Sequence, residues 1–305
     1  MPKQSKRVPV LITWDVDPDQ WADLSRREGS LSRAIDLCED LDICTTFFFT
    51  ASTADQYPFH IERMIALDQE IGCHGLFHSP EEDYNRMSEK LQQEYIQEAR
   101  QKLETVTGSA IRSFRSPRVK TSGLTLRLLG EYGFQTDSSV CSQRVDLISS
   151  NLINLGWLRA PRRPYHPHAN DAFKRGNLPI MEVPVSAAAL PFISSVLKVL
   201  GLRAMKVLFW LLYQESKRTG KPIVYLAHPM EFDGKGKRKK IKWRDFSPRR
   251  IRTHGLMARR WLFQLSGQSL YEATRELFTY IQSFPNVVFL TCSAYVNGFP
   301  GKDGS

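Results

Sequence analysis

Short runs rich in β-branched and aromatic residues alternate with stretches of helical periodicity along almost the whole chain, and this alternation constrains the fold more than any other feature. Val8 to Trp14 reads as a strand, Leu31 to Asp40 as a helix, Ile43 to Phe49 as a strand and Phe59 to Asp68 as a helix, with a short strand expected through Ile71 and Cys73. Ser88 to Thr107 is the clearest helix, N-capped by Ser88 and stopped by Gly108. Strand Ile111 to Phe114, helix Gly123 to Tyr132 and strand Phe134 to Thr136 follow. A polar excursion over 141–177 is expected to lie outside the core. The pattern then resumes with strand Leu178 to Val185, a helix between Phe192 and Lys217, strand Pro222 to Ala227, a helix within Leu256 to Ser283 and strand Val287 to Leu290. Repeated β/α units imply a parallel barrel or a doubly wound α/β sheet. The 305 residues show no internal repeat and no linker, so one domain over 1–305 is expected.

Composition excludes several classes. Hydrophobic residues at 42% and charged ones at 24% are ordinary globular values, which rules out disorder as the main theme. Five scattered cysteines with no CxxC pair argue against a disulfide framework or a cysteine zinc site. The apolar run from Val8 to Trp14 is shorter than a secretory signal needs, and Val183 to Leu197, interrupted by Pro184 and Pro191, is too short to span a bilayer. A cytoplasmic protein is expected.

The net charge of +10 is concentrated in one place. Residues 235–260 hold twelve of the 42 Lys/Arg and one of the 32 acids, a block of +11, while the remainder is balanced to within one charge. Such a block is either a solvated loop or an attractor of polyanions. Ile241 and Trp243 interleave with its lysines, which suits a membrane interface. No signature of a nucleic-acid-binding module is present, so nucleic acid is not the expected partner.

Four short motifs carry the chemistry-bearing residues. In TWDVDPD, Asp15 and Asp17 end the first strand and, with a side-chain period of two, face the same way; alone, such a pair could equally cap a loop. In GCHGLFHS, His74 and His78 are four apart, and a helical turn would set both imidazoles on one side, near enough to grip one metal ion. Surface helices also produce that spacing by chance. Arg115 follows strand Ile111 to Phe114, and His228 follows strand Pro222 to Ala227. Each is bland alone, but all fall just after expected strands, the rim where barrel enzymes build their active sites.

The ordered set TWDVD, HGLFH, FRSP, TDSS and LAHP resembles the five-motif pattern of the polysaccharide deacetylase superfamily, the NodB homology or carbohydrate esterase family 4 fold, over roughly residues 8 to 292. The resemblance implies an α/β, NodB-like distorted (β/α) barrel of seven strands. It implies hydrolysis of an N-acyl group, acetyl or formyl, from an amino sugar in bacterial envelope glycan metabolism. It also implies one divalent metal, zinc first, with cobalt, nickel or manganese as alternatives, and no other cofactor. Carried over by position, Asp15 is the general base, Asp17, His74 and His78 the metal ligands, Arg115 the group orienting the base, and His228 the general acid. Asp137 occupies the fourth motif, with its role left open. The spaced acids of DVD, Gly75 after the first histidine, Arg118 after Pro117 and the absence of tryptophan from Ser138 to Val140 depart from the commonest pattern and leave the substrate groove undefined. Two other readings stay open: the same barrel acting on a non-sugar amide or cyclic ureide, and a glycan- or polyanion-binding module with an idle pocket.

One further stretch bears on partners. At ~100° per residue, Lys198, Arg203, Lys206 and Lys217 fall in one helical sector of about 140°. That pattern fits a barrel helix with a wide buried face. It also fits an interfacial helix that, with 235–260, makes peripheral contact with an anionic membrane and reaches a lipid-linked sugar.

Overall fold

A computed structural model describes residues 7–142, 155–233 and 262–298; the basic segment 235–260 and residues 143–154 of the excursion lie outside the described residues. The elements are β1 (Val8–Val16), α1 (Leu24–Asp40), β2 (Thr46–Phe49), α2 (Pro58–Ala66), β3 (Glu70–Cys73), α3 (Glu89–Thr107), β4 (Ser113–Phe114), α4 (Gly123–Glu131) and β5 (Thr136–Asp137). They continue with α5 (Leu155–Arg159), β6 (Pro167–His168), β7 (Asp171–Arg175), β8 (Met181–Glu182), β9 (Ala187–Ala188), β10 (Leu190–Pro191), α6 (Ser194–Thr219), β11 (Ile223–Ala227), α7 (Gln268–Gln282), β12 (Val287–Phe289) and α8 (Cys292–Gly298).

Seven parallel strands form the path β11-β1-β2-β3-β4-β5-β8, a NodB-like distorted (β/α) barrel. β12 adds an eighth strand by pairing with Val8–Val10, while β2 takes Thr13–Val16 on the same edge of β1. β1 is therefore flanked on both sides and buried along all nine residues, which is why it reads as an unbroken apolar run. The path nearly closes on itself. Beyond β8, the Ser186 N–H donates to the Val224 carbonyl of β11 (3.1 Å) and the Val224 N–H donates back to Ser186 Oγ (3.0 Å).

Local chemistry sets the helix ends. Ser88 Oγ accepts from the Leu91 N–H, and Gly108 closes α3 at φ 65°, a left-handed position suited to glycine. α1 begins seven residues before its expected start. Asp23 caps it by accepting from the Arg26 N–H, and its first turns are polar and largely exposed, so they carry no apolar period.

Two expectations are corrected. The excursion is not wholly outside the core: Trp157 and Tyr165 are buried, and Tyr165 bridges Glu182 of β8. The cations of α6 do not form one outward stripe. The backbone breaks at Gly201 (φ 75°), which shifts the phase of the helix; Lys198 pairs with Glu231 (3.0 Å) and Lys206 with Glu276 (2.7 Å). What α6 exposes instead is largely apolar, including Leu200, Val207, Trp210 and Leu211, together with Arg203, Lys217 and Arg218. Among the described residues, no helix is long and apolar enough to cross a membrane.

Candidate active site

Because the strands are parallel, their C-terminal ends share one rim. Asp15 is the penultimate residue of β1 and Asp17 follows its end; His74 follows β3, Arg115 follows β4 and His228 follows β11. The structure brings these five residues and His78 into one cluster.

The two histidines meet by a route other than a helical turn. Residues 74–78 form a loop in which Gly75 (φ 77°) and His78 (φ 53°) both take left-handed conformations. Its centre is the carboxylate of Glu82, fully buried, which accepts from the backbone N–H groups of Leu76 (2.6 Å), Phe77 (2.8 Å) and His78 (2.6 Å). A Cβ on Gly75 would lie 2.6 Å from Glu82 Oε1 and 2.7 Å from Pro117 Cγ, so there is no room for a side chain there. Arg118 holds the far side, donating to Asp83 Oδ1 (3.0 Å) and to the Ser79 and Glu82 carbonyls (2.8 and 2.9 Å). Sequence reasoning missed Glu82, because SPEEDY reads as a solvated acidic turn; the sole signal was an acid shortly after a Gly-containing histidine loop.

Asp17, His74 and His78 each offer a ligand atom, and these atoms lie within 4.8 Å of one another. Asp17 Oδ1 is 3.4 Å from His74 Nε2 and 3.5 Å from His78 Nε2. His74 Nδ1–H donates to the Arg115 carbonyl (2.8 Å), which turns Nε2 toward Asp17; burial alone would lower its pKa, but Asp15 and Asp17 raise it above the usual imidazole value. Asp17 Oδ1 is buried and accepts no hydrogen bond. A buried acceptor left without a hydrogen bond is costly, and a divalent cation would satisfy it together with the Nε2 atoms of two neutral imidazoles. The residues fit the metal that the resemblance implies.

Asp15 is 3.8 Å from His74 Nε2 through its Oδ2, while its Oδ1 accepts from Arg115 Nη1 (2.8 Å). Arg115 is completely buried and rigidly aimed. Its Nη1 also donates to Thr13 Oγ1 (2.8 Å), its Nε to the Ser138 carbonyl (2.7 Å) and its Nη2 to Ser138 Oγ (2.8 Å), and it lies over the Phe48 ring. Burial works to raise the Asp15 carboxyl, but Arg115, His74 and His228 outweigh it and hold the group below the ordinary carboxylate value. It stays ionised.

His228 Nε2 lies 4.0 Å from Asp15 Oδ2 and 3.9 Å from Asp17 Oδ2. Burial alone would lower its pKa, yet the charges of Asp17, Glu231 and Asp15 raise it above the usual imidazole value. Burial pushes His78 down to about 4, leaving it neutral and able to ligate at neutral pH.

Asp137 stands apart from these contacts. It accepts from Ser139 Oγ (2.7 Å) and stands opposite Glu182, a second buried carboxyl, in the β5–β8 pairing. Burial and the Asp137 charge raise Glu182 far above its ordinary range, so the pair holds one proton. Ser138 and Ser139, between Asp137 and the rim, grip Arg115 and the Ser116 N–H (2.8 Å). A small open cleft reaches the site, lined by Asp15, Asp17, Asp19, Arg27, Tyr57 and Met230 among others. Asp19 is raised to about 7, by burial first and then by Asp17.

A family model described as polysaccharide deacetylase matches residues 3–136. No curated protein sequence matches. Among solved structures, the chain is similar to a protein described as a polysaccharide deacetylase from Mycobacterium smegmatis, at 17% identity and TM-score 0.64, covering 96% of this chain and 90% of that one. It is also similar to an allantoinase, at 16% identity and TM-score 0.63, and to a protein described as a polysaccharide deacetylase from Pseudomonas aeruginosa, at 16% and 0.62; each covers 96% of this chain and 90% of the other. At these identities the likeness is one of fold.

Proposed function

We propose, from the match of residues 3–136 to a polysaccharide deacetylase family model, that this chain is an amide hydrolase that removes an N-acyl group, acetyl or formyl, from an amino sugar. The observation that carries the reading is the orphaned Asp17 Oδ1 between two imidazole Nε2 atoms, beside an ionised Asp15. Asp17, His74 and His78 would hold the ion, with zinc the first choice for two imidazoles and one carboxylate, and cobalt, nickel or manganese as alternatives. A bound divalent ion supplies Lewis acidity, lowering the pKa of water from 15.7 to about 7 in favourable cases.

The remaining steps belong to the protein. Asp15, held ionised and oriented by Arg115, accepts the proton of the attacking water. As the C–N bond breaks, the leaving nitrogen needs a proton, and His228 is poised to give it because neighbouring carboxylates favour its charged form. The products are a carboxylate and a free amine. Asp137 would serve at one remove, fixing through Ser138 and Ser139 the segment that aims Arg115.

Elemental analysis and amine release test the proposal together. The wild type should carry close to one divalent ion and free the amine from N-acylated sugars, and His78→Ala should lose both. A His78→Ala protein with unchanged metal content and turnover would overturn it. The likeness to an allantoinase supports a second reading, hydrolysis of a cyclic ureide or other non-sugar amide on the same rim. A panel of both substrate classes on the zinc-loaded protein separates the two. Sugar binding without amine release, with zinc, cobalt or nickel supplied, would instead favour an idle binding module.

A lipid-linked glycan at the cytoplasmic face of an anionic membrane remains part of the proposal. Its support is the exposed apolar set on α6 with Arg203, Lys217 and Arg218 nearby, and the +11 segment in the sequence. Sedimentation with phosphatidylglycerol vesicles should carry down the wild type and not Trp210→Glu.

A further inference from the structure

Arg27, near the N-terminal end of α1, makes no ion pair among the described residues. It lines the same cleft as Asp15 and Asp17. Its Nη1 donates only to neutral acceptors: the Pro18 carbonyl (3.1 Å), Gln56 Oε1 (3.0 Å) and the Tyr57 hydroxyl (3.3 Å). Its Nε is buried and makes no hydrogen bond, and the hydrogen bonds it makes among the described residues all run through Nη1. Of the other arginines on or beside this helix, Arg26 pairs with Asp233 and Arg63 with Asp36 and Glu39, while Arg33 donates to the Phe232 carbonyl and Gln268 Oε1 and packs over the Tyr271 ring. Tyr57, 1% exposed, lines the cleft beside it. Because its oxygen accepts from Arg27, its own O–H is left to donate.

A buried guanidinium N–H without an acceptor is costly, and a guanidinium edge with a phenol O–H beside it is a donor set suited to a planar carboxylate or a phosphate. We propose that Arg27 and Tyr57 form a subsite for an anionic oxygen group, phosphate or carboxylate, carried by the substrate close to the bond that is cut. This deepens the amide-hydrolase reading and rests on it: the substrate is an acylated amine that is also an anion. A neutral sugar would leave both donors unanswered. The three neutral acceptors on Nη1 hold the guanidinium at the cleft wall, with no salt bridge among the described residues to break first.

Binding to the zinc-loaded protein tests this by calorimetry, with inorganic phosphate and glucuronic acid as anionic probes and glucose as the neutral control. The two anions distinguish which oxygen group is preferred. Arg27→Gln should weaken whichever anion binds by about tenfold to a hundredfold, the loss expected for charge-assisted hydrogen bonds, and leave glucose unchanged. Arg27→Lys should recover part of the affinity. His78→Ala separates the subsite from the metal: binding that survives in His78→Ala and falls in Arg27→Gln supports the proposal. Binding lost in His78→Ala but intact in a folded Arg27→Gln would assign the anion to the metal and overturn it, as would a wild type that binds neither probe at 50-fold excess. If instead the wild type holds no metal, the hydrolase reading fails while the Arg27-dependent binding can still be read.

Discussion

Replacing Glu82 with Gln probes the histidine loop through a residue that touches neither substrate nor metal. The wild-type carboxylate accepts three backbone N–H groups, Leu76 on Oε1 and Phe77 and His78 on Oε2, and the Tyr84 hydroxyl on Oε1 (3.1 Å). An amide keeps one of those oxygens and turns the other into a donor. In its better orientation it retains Phe77 and His78, but sets an NH₂ against the Leu76 N–H in a fully buried site. A hydrogen bond to a charged group contributes roughly 1.5–3 kcal/mol, and an orphaned donor costs a similar amount, so Glu82→Gln should lose about 2–4 kcal/mol. Zinc affinity should fall about 10- to 100-fold, as for other groups that orient a ligand without being one. Urea unfolding measures the first and competition with a chromophoric chelator the second. A folded Glu82→Gln protein that binds zinc as tightly as the wild type would refute the reasoning, because His78 would then be positioned by something else.

Arg115→Met should shift the acid limb of the pH profile of kcat/KM upward, because the main charge holding Asp15 low is removed while burial, which raises it, remains. The same variant should lose stability that the wild type has above pH 3.8, the ordinary Asp15 value, and gives up as pH falls through the depressed folded value; thermal melts across pH would show it. Glu182 carries the opposite sign: its folded pKa is raised, so its contribution is complete below 4.5 and declines as pH rises, and Glu182→Gln should flatten that decline in melts between pH 5 and 9. His228→Ala should lower kcat about 10²- to 10⁴-fold on an ordinary amide and far less on an activated anilide whose leaving nitrogen needs no proton; equal losses on both would exclude its role as acid. Gly75→Ala should weaken zinc binding, since φ 77° is strained for alanine and its Cβ collides with Glu82 and Pro117.

The residues that lay at strand ends were legible in the sequence because a strand has a period of two and a parallel sheet has one C-terminal rim. Asp15, Asp17, Arg115 and His228 all follow from those two facts. The His74–His78 pairing was legible as a spacing and misread as a helix; the actual device is a loop with two left-handed residues wrapped on a carboxylate, and no periodicity describes it. The early start of α1 was hidden for a related reason: its first turns present mostly polar residues to solvent, so neither the helix nor Arg27 within it carries an apolar signature. The α6 stripe was drawn on a continuous helix, and one glycine at φ 75° is enough to rotate half of it away from the other half. Asp137 could be placed at a strand end, but its companion Glu182 sits on another strand, and a pairing across a sheet leaves no trace in local order.

Ser186 stitches the two ends of the strand path with one pair of hydrogen bonds. An open sheet of this length would present two rows of unsatisfied amides to any neighbouring molecule, each a template for growth. Here the outer edge of β8 is taken by Tyr165, which exchanges both backbone hydrogen bonds with Glu182, and that of β11 by Ser186 and Phe192. Protection against edge-to-edge aggregation is thus built into the same sheet that gathers six distant residues at the rim.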